Sequence, residues 1–176
     1  MSVMYGTDVE VSGSEVRDNA WHAGIYVWDA TNVRLVGNHI HHNGDRTQPD
    51  QANTDHGIYW CGGSGLVANN AIDHNLAYGV HLYPDASDVT VTQNTIVRSG
   101  RGGVIVAERS AGNRILNNVV AYNGWYGIRG YALTGSGNVA EHNLLWQNGS
   151  ENFSGDGIGL SDNVVADPHL GAYEAG

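Results

Sequence analysis

Lysine is absent from this chain, and all 8 of its basic side chains are arginines. Against them stand 18 aspartates and glutamates, leaving a formal net charge of −10 at pH 7. A surface of that sign repels phosphate backbones and anionic bilayers, which argues against nucleic acid and membranes as partners. It suits neutral sugars, cations, or an anionic ligand held through a local arginine or a metal. Cysteine occurs once, at Cys61, so no disulfide can close within the chain and the redox compartment stays open. No apolar run is long enough to span a bilayer. The start, MSVMYGTDVEVSG, lacks the charged-then-apolar pattern of a signal peptide. Proline is scarce, at 3 residues.

Glycine and asparagine are plentiful instead, with 25 glycines and asparagine at 18 of the 176 positions. They are not scattered. A Gly followed by Ile or Val recurs at Gly24-Ile25, Gly57-Ile58, Gly79-Val80, Gly103-Val104, Gly127-Ile128 and Gly157-Ile158. A second pattern, Asn-x-Ile-x-x-Asn, recurs as NHIHHN (38–43), NAIDHN (70–75), NTIVRS (94–99), NVVAYN (118–123) and NLLWQN (143–148), with a weaker copy SEVRDN at 14–19. Its first column is Ser14, Asn38, Asn70, Asn94, Asn118 and Asn143, in steps of 24, 32, 24, 24 and 25 residues. A unit of that length with apolar alternation inside it is the mark of a solenoid. Short runs such as VTV (89–91), the Ile of the Asn motif, and VIV (104–106) read as three strands per unit. Helix is excluded by the apolar period of two and by the Gly and β-branched content. Gly and Asn between the strands suit turns with positive φ. Each inward Asn is expected to bond to the Asn and backbone of the coils above and below.

These recurring columns resemble the right-handed parallel β-helix family with the pectin-lyase-like fold, over residues 7–168. The resemblance implies an all-β protein, a single-stranded right-handed parallel β-helix solenoid of about six to seven coils with three short strands per coil. It makes residues 1–176 one domain, closed by a terminal segment at 162–176 that includes DNVVADPHLG. Family members carry a cap over the first coil, and none is visible before Thr7. The expectation is therefore either a piece of a longer protein or a first coil covered by another chain, because an uncapped coil is a bare sheet edge that invites pairing. The resemblance further implies an extracellular or secreted location, and a groove over the Gly-Ile sheet as the place where carbohydrate-active members work.

Within a strand the Ile points inward and its neighbour outward. The first outward column is then Tyr26, Tyr59, His81, Ile105, Arg129 and Gly159, and the second is Trp28, Cys61, Tyr83, Ala107, Tyr131 and Ser161. Asp55, His56, Trp125 and Tyr126 stand at the rim before the strand, and Glu108 and Arg109 at the rim after it. A long insertion (44–55) and a shorter one (149–156) are expected to rise beside this face. Aromatic rings suit the C–H faces of sugars, which makes a polysaccharide or oligosaccharide the expected partner, bound by Tyr26, Trp28, Tyr83, Glu108, Arg109, Trp125, Tyr126 and Tyr131. A cross-strand aromatic ladder that only stabilises the sheet is the competing reading.

The chemistry that fits is lyase or epimerase action on a uronate, or hydrolysis. In elimination Arg129 would offset the carboxylate, His81 would take the proton, and Tyr59 or Tyr83 would assist the leaving oxygen. Asp55 and His56, in DHGIYWCG (55–62), join the candidate catalytic set. NTDHGI (53–58) resembles the Asn-Thr-Asp motif of polygalacturonase-type hydrolases, but their paired Asp and their lysine are missing here. Ca²⁺ is the cation that would reconcile an anionic polymer with a −10 surface. The alternative function is a non-catalytic carbohydrate-binding or structural module of a larger extracellular protein. Separately, His39, His41 and Asp73 form a candidate metal cluster on another sheet.

Overall fold

A computed structural model describes residues 1–20, 22–45, 47 and 53–171. Residues 46 and 48–52 of the long insertion, and 172–176 of the terminal segment, lie outside the described residues.

The alternation read from the sequence becomes 19 strands and, among the described residues, no α-helix. All pairs are parallel, each strand beside its counterpart one coil away. They form three faces. The groove face runs through Ser2–Met4, the first half of Ile25–Val36, the first half of Ile58–Ala68, Tyr78–Leu82, Gly102–Ala107, Tyr126–Tyr131 and Glu151–Ser154. The second face holds Glu10–Ser12, the second halves of the two long strands, Val89–Thr92, Arg114–Leu116, Asn138–Glu141 and Ile158–Ser161. The third face holds Glu15–Arg17, His39–His41, Ala71–Asp73, Thr95–Val97, Val119–Ala121, Leu144–Trp146 and Val164–Val165. The result is a parallel β-solenoid of seven coils, beginning at Ser2–Met4, which pairs with Tyr26–Trp28.

The corners explain the asparagines. Each Asn of the third-face motif follows a residue in the left-handed region, such as Asn69 (φ 55), Gln93 (φ 55) and Asn117 (φ 54) in the first column. Tyr122 (φ 57) and Gln147 (φ 43) do the same in the second. That reversal points backbone donors and acceptors into the core, where each needs a partner. The inward amides supply it. Asn118 Oδ1 accepts from the backbone N–H of Asn94 (3.0 Å) and from its Nδ2 (3.0 Å), while Asn118 Nδ2 donates to Val91 O (2.9 Å) and to Asn143 Oδ1 (2.9 Å). The first column runs unbroken from Asn38 to Asn163. A further column, Asn113 and Asn138, seals the corner between the groove and second faces.

The glycines of the Gly-Ile motif have a different job from the one their sequence context suggests. Among these, Gly57 has no positive φ; it is needed for space. A Cβ on Gly57 would lie 2.6 Å from Gly79 O and 2.8 Å from Asn75 Nδ2, so the side-chain amide column occupies the room that glycine leaves. Between the corners, Ile25, Ile58, Val80, Val104 and Ile128 from the groove face meet Ile40, Ile72, Ile96, Val120 and Leu145 from the third face in one continuous core. Trp60 also points inward and is fully buried, opposite Gly65, where a Cβ would sit 2.7 Å from its ring.

The last coil departs from the sequence reading. Ile158 pairs with Asn138 and Gly159 with Val139, so Gly157-Ile158 belongs to the second face. The groove strand there is Glu151–Ser154, with Phe153 beside Ile128 and Ser154 beside Arg129. Residues 149–156 are thus the strand and corner of a shortened coil rather than an insertion. The spacing from Asn143 to Asn163 drops to 20 residues.

Replacing Asn118 by Ala strands two donors of Asn94, at a cost of about 1–3 kcal/mol for each buried group left unpaired. Replacing Gly57 by Ala overpacks the corner, costing about 1–3 kcal/mol. Urea denaturation of both variants should show lower midpoints with unchanged slopes; a loss below about 0.5 kcal/mol in either would contradict the account of that corner.

Candidate functional site

Because the register of every coil is locked, side chains of equivalent position line up across the groove face. Tyr26, Tyr59, His81, Ile105, Arg129 and Ser154 stand in one row. From Tyr26 to Arg129 the row spans four strand spacings, about 19 Å. Its first half is aromatic. Ring centroids are 5.4 Å apart for Tyr26 and Tyr59, 5.1 Å for Tyr59 and His81, and 5.2 Å for His81 and Tyr83. Trp28 joins at 5.8 Å from Tyr26. Ile105 and Ala107, both buried, make a smooth floor at the middle. The second half is cationic and aromatic. Arg129 lies 4.4 Å over the Tyr126 ring and 4.9 Å over Tyr131, and Arg101 lies 4.8 Å over Trp125. Trp125 (44% exposed) and Tyr131 (53% exposed) keep ring faces open to solvent. A depression of about 510 Å³ is lined by Asn53, Tyr78, His81, Tyr83, Arg101 and Arg129 among others. A second one, of about 280 Å³, lies between Met1, Asn19, His22, Tyr26 and Tyr59.

Two histidines, His81 of this row and His56 behind it, are hydrogen-bonded to each other. His56 is buried, and its Nδ1 accepts the backbone N–H of Tyr78 at 3.4 Å. Its Nε2 faces His81 Nδ1 at 3.0 Å. A backbone amide can only donate, so neutral His56 carries its proton on Nε2 and gives it to His81 Nδ1. His81 then carries its own proton on Nε2. Burial holds both rings neutral, with the His56 pKa pushed well below the usual histidine value and that of His81 pushed down to about 3. Burial also raises the phenols of Tyr26 and Tyr59 well above the ordinary tyrosine value. The Tyr83 phenol is raised as well, chiefly by its hydrogen bond to Glu108.

The remaining candidates fall into separate places. Asp55 is buried and away from the open row. Its Oδ2 accepts the Asp45 N–H (3.1 Å) and its Oδ1 the Thr54 hydroxyl (3.4 Å), which ties the two ends of the long insertion together. Arg109 is held by both oxygens of Asp85, at 2.6 and 2.7 Å, and Glu108 lies 3.7 Å from it. That pairing lowers the Asp85 pKa and raises that of Arg109. The Cys61 thiol donates to Tyr83 O at 2.8 Å, and burial pushes its pKa up, so it is a packed group rather than a nucleophile. His39, His41 and Asp73 are on the third face, remote from this groove. Tyr78 and Arg101 also line the groove, outside the candidate set read from the sequence. Tyr78 supplies the amide that sets the histidine tautomers, a backbone contact with no sequence signal. Arg101 was recoverable from its spacing, since it precedes its strand as Trp125 precedes the next.

A search of curated proteins finds no match to this chain. Among solved structures it is similar to the Dettilon tailspike protein, at 13% identity and a TM-score of 0.54, covering 88% of this chain and 47% of that one. That likeness is one of fold, and this chain spans about half the length of that protein. The family model described as right handed beta helix region matches residues 1–120 and 52–166. With its parallel three-faced coils and this match over nearly its whole length, the chain belongs to the right-handed β-helix family.

Proposed function

We propose that the groove face binds an acidic polysaccharide or oligosaccharide laid along the solenoid axis. The observation that carries this reading is the state of Arg129 and Arg101. In a chain with 18 acidic residues to 8 arginines, both guanidiniums are stacked on aromatic rings and, among the described residues, neither is paired with a carboxylate. Arg129 Nε is buried without a hydrogen-bond partner. A desolvated guanidinium with free donors suits a carboxylate, which it can grip in bidentate fashion. The aromatic half of the row offers ring faces for the sugars on either side. The His81 Nε2–H adds one neutral donor, about 10 Å from Arg129 across the Ile105 strand. A polymer of this kind is met outside the cell, the location that the family resemblance implies.

Binding is better supported than turnover. His81 with its proton on Nε2 is a donor and not the base that elimination requires, and the raised phenols stay protonated. Hydrolysis needs two facing carboxyl groups at about 5–9.5 Å. Of the described residues lining the 510 Å³ depression only Glu108 is acidic. One observation favours catalysis as a second reading: Tyr83 and Glu108, from adjacent coils, line the same depression, and the Glu108 carboxylate raises the Tyr83 phenol.

Titration with uronate oligosaccharides and neutral oligosaccharides of equal length, each with and without Ca²⁺, tests the binding. The uronates should bind more tightly, and Arg129→Ala should weaken them about tenfold or more, a loss of about 1.4 kcal/mol, while leaving neutral sugars unaffected. Equal affinity for both classes, or an unchanged affinity in the variant, removes the reading. Ultraviolet absorbance and reducing-end assays on the same samples decide between binding alone and turnover. Unsaturated product that vanishes in Glu108→Gln would establish the Tyr83–Glu108 reading.

The pH dependence follows from the same groups. An arginine stays charged throughout, and His81, depressed to about 3, stays neutral from pH 5 to 8. Uronate affinity should therefore be flat over that range. A rise in affinity as pH falls through about 6.5 would mean that His81 gains its proton there, contrary to its burial.

A further inference from the structure

The third face carries a second constellation, built by the same register but of different composition. Glu15, His39, His41 and Asp73 come from three consecutive coils, with Glu15 beside His39 and His41 beside Asp73. His41 Nε2 lies 3.0 Å from Glu15 Oε1, and His39 Nε2 lies 2.7 Å from Asp73 Oδ2. The other oxygen of Asp73 is 2.6 Å from His74 Nδ1. His41 Nδ1 faces His42 Nδ1 at 2.8 Å. The rings of His39 and His41 stack at 3.9 Å, and those of His42 and His74 at 4.8 Å. His41 and Asp73 are the inner members, with side chains only 11% and 6% exposed.

Four imidazoles, stacked in pairs, converge here with two carboxylates drawn from the first and third coils. Single ligand atoms from Glu15, His39 and His41 all lie within 4.8 Å of one another, as do those of His41, His42 and Asp73. Tetrahedral ligand atoms at about 2.0–2.1 Å from a metal are about 3.3 Å apart, so small side-chain rotations bring such a set to coordination distance. Mixed imidazole and carboxylate donors suit Zn²⁺ and its borderline neighbours, whereas Ca²⁺ and Mg²⁺ take all-oxygen sets.

We propose that Glu15, His39 and His41 bind one divalent transition metal ion of the Zn²⁺ class, with the buried Asp73 carboxylate holding His39 in place. The ligands come from the first and second coils and their support from the third. The ion therefore clamps the first two coils together on the third face, apart from the groove strands. The arrangement of a ligating histidine held by a carboxylate is the usual outer support of such sites.

The test uses the untagged, chelator-treated full chain, titrated with ZnCl₂ by calorimetry and followed by thermal melting. One equivalent should bind, with a rise in melting temperature that CaCl₂ at the same concentration does not reproduce. His39→Ala and His41→Ala should each abolish the stoichiometric event and the melting shift. Asp73→Asn should weaken it about 10–100-fold. His142→Ala, on the exposed second-face corner, serves as control and should bind as the parent does. His39 is the safest ligand to remove, because its side chain is 45% exposed and the circular dichroism of the variant should match the parent. Zn²⁺ binding that survives both His39→Ala and His41→Ala, or the absence of a stoichiometric event in the parent, overturns the proposal.

Discussion

The inward amide ladder is the constraint on which everything else in this molecule rests. A three-sided coil must turn sharply three times, and each turn leaves backbone donors and acceptors pointing into an apolar interior. An unpaired group there costs more than a single hydrogen bond returns. Asn38, Asn70, Asn94, Asn118, Asn143 and Asn163 meet that demand in one column, and Asn43, Asn75, Asn123 and Asn148 contribute to a second. The ladder also makes left-handed φ tolerable at non-glycine residues such as Arg98 and Tyr122, each of which would cost about 1–2 kcal/mol in an unsupported chain. Because one amide answers to two neighbours, no coil can slip without breaking bonds on both sides.

Fixed register turns a core device into a surface device. A shift of one residue would exchange inward and outward sets along a whole strand, so locking the asparagines also locks what faces solvent. On the groove face it places tyrosines, a histidine and an arginine in a single row. On the third face it places Glu15 by His39 and His41 by Asp73. Neither constellation is contiguous in sequence, and neither needs a loop to assemble it. The long insertion contributes differently, through Asp55, which anchors its two ends, and Asn53, which reaches the groove wall.

The same logic sets what was legible in the sequence. Asparagine columns and apolar alternation are properties of the repeat, so strand faces and outward rows could be read through Arg129. The reading failed at the last coil, where Gly157-Ile158 mimics the motif. There the true groove strand, Glu151–Ser154, offers no Gly-Ile pair, and the marker that survives is Asn163, 20 residues after Asn143. The Gly residues were recognisable but their reason was not, since crowding by Asn75 against Gly57 is a contact between coils. The proton positions on His56 and His81 were out of reach altogether. They depend on the Tyr78 amide, which every residue except proline would supply.

Histidine therefore plays two opposite parts within one fold. His56 and His81 are packed among tyrosines, where burial strips their ability to carry charge and a backbone amide fixes their tautomers. Among the described residues lining the groove depression the cationic side chains are Arg101 and Arg129, and both sit on ring faces. On the third face the histidines lie instead beside carboxylates, in a hydrogen-bonded cluster of six ionisable side chains. In a chain with 18 acidic residues to 8 arginines, stacking Arg101 and Arg129 on Trp125, Tyr126 and Tyr131 keeps these two cations out of ion pairs without neutralising them. Cation–π contact leaves the edge donors of the guanidinium free. An internal salt bridge such as that of Arg109 with Asp85 would have consumed them.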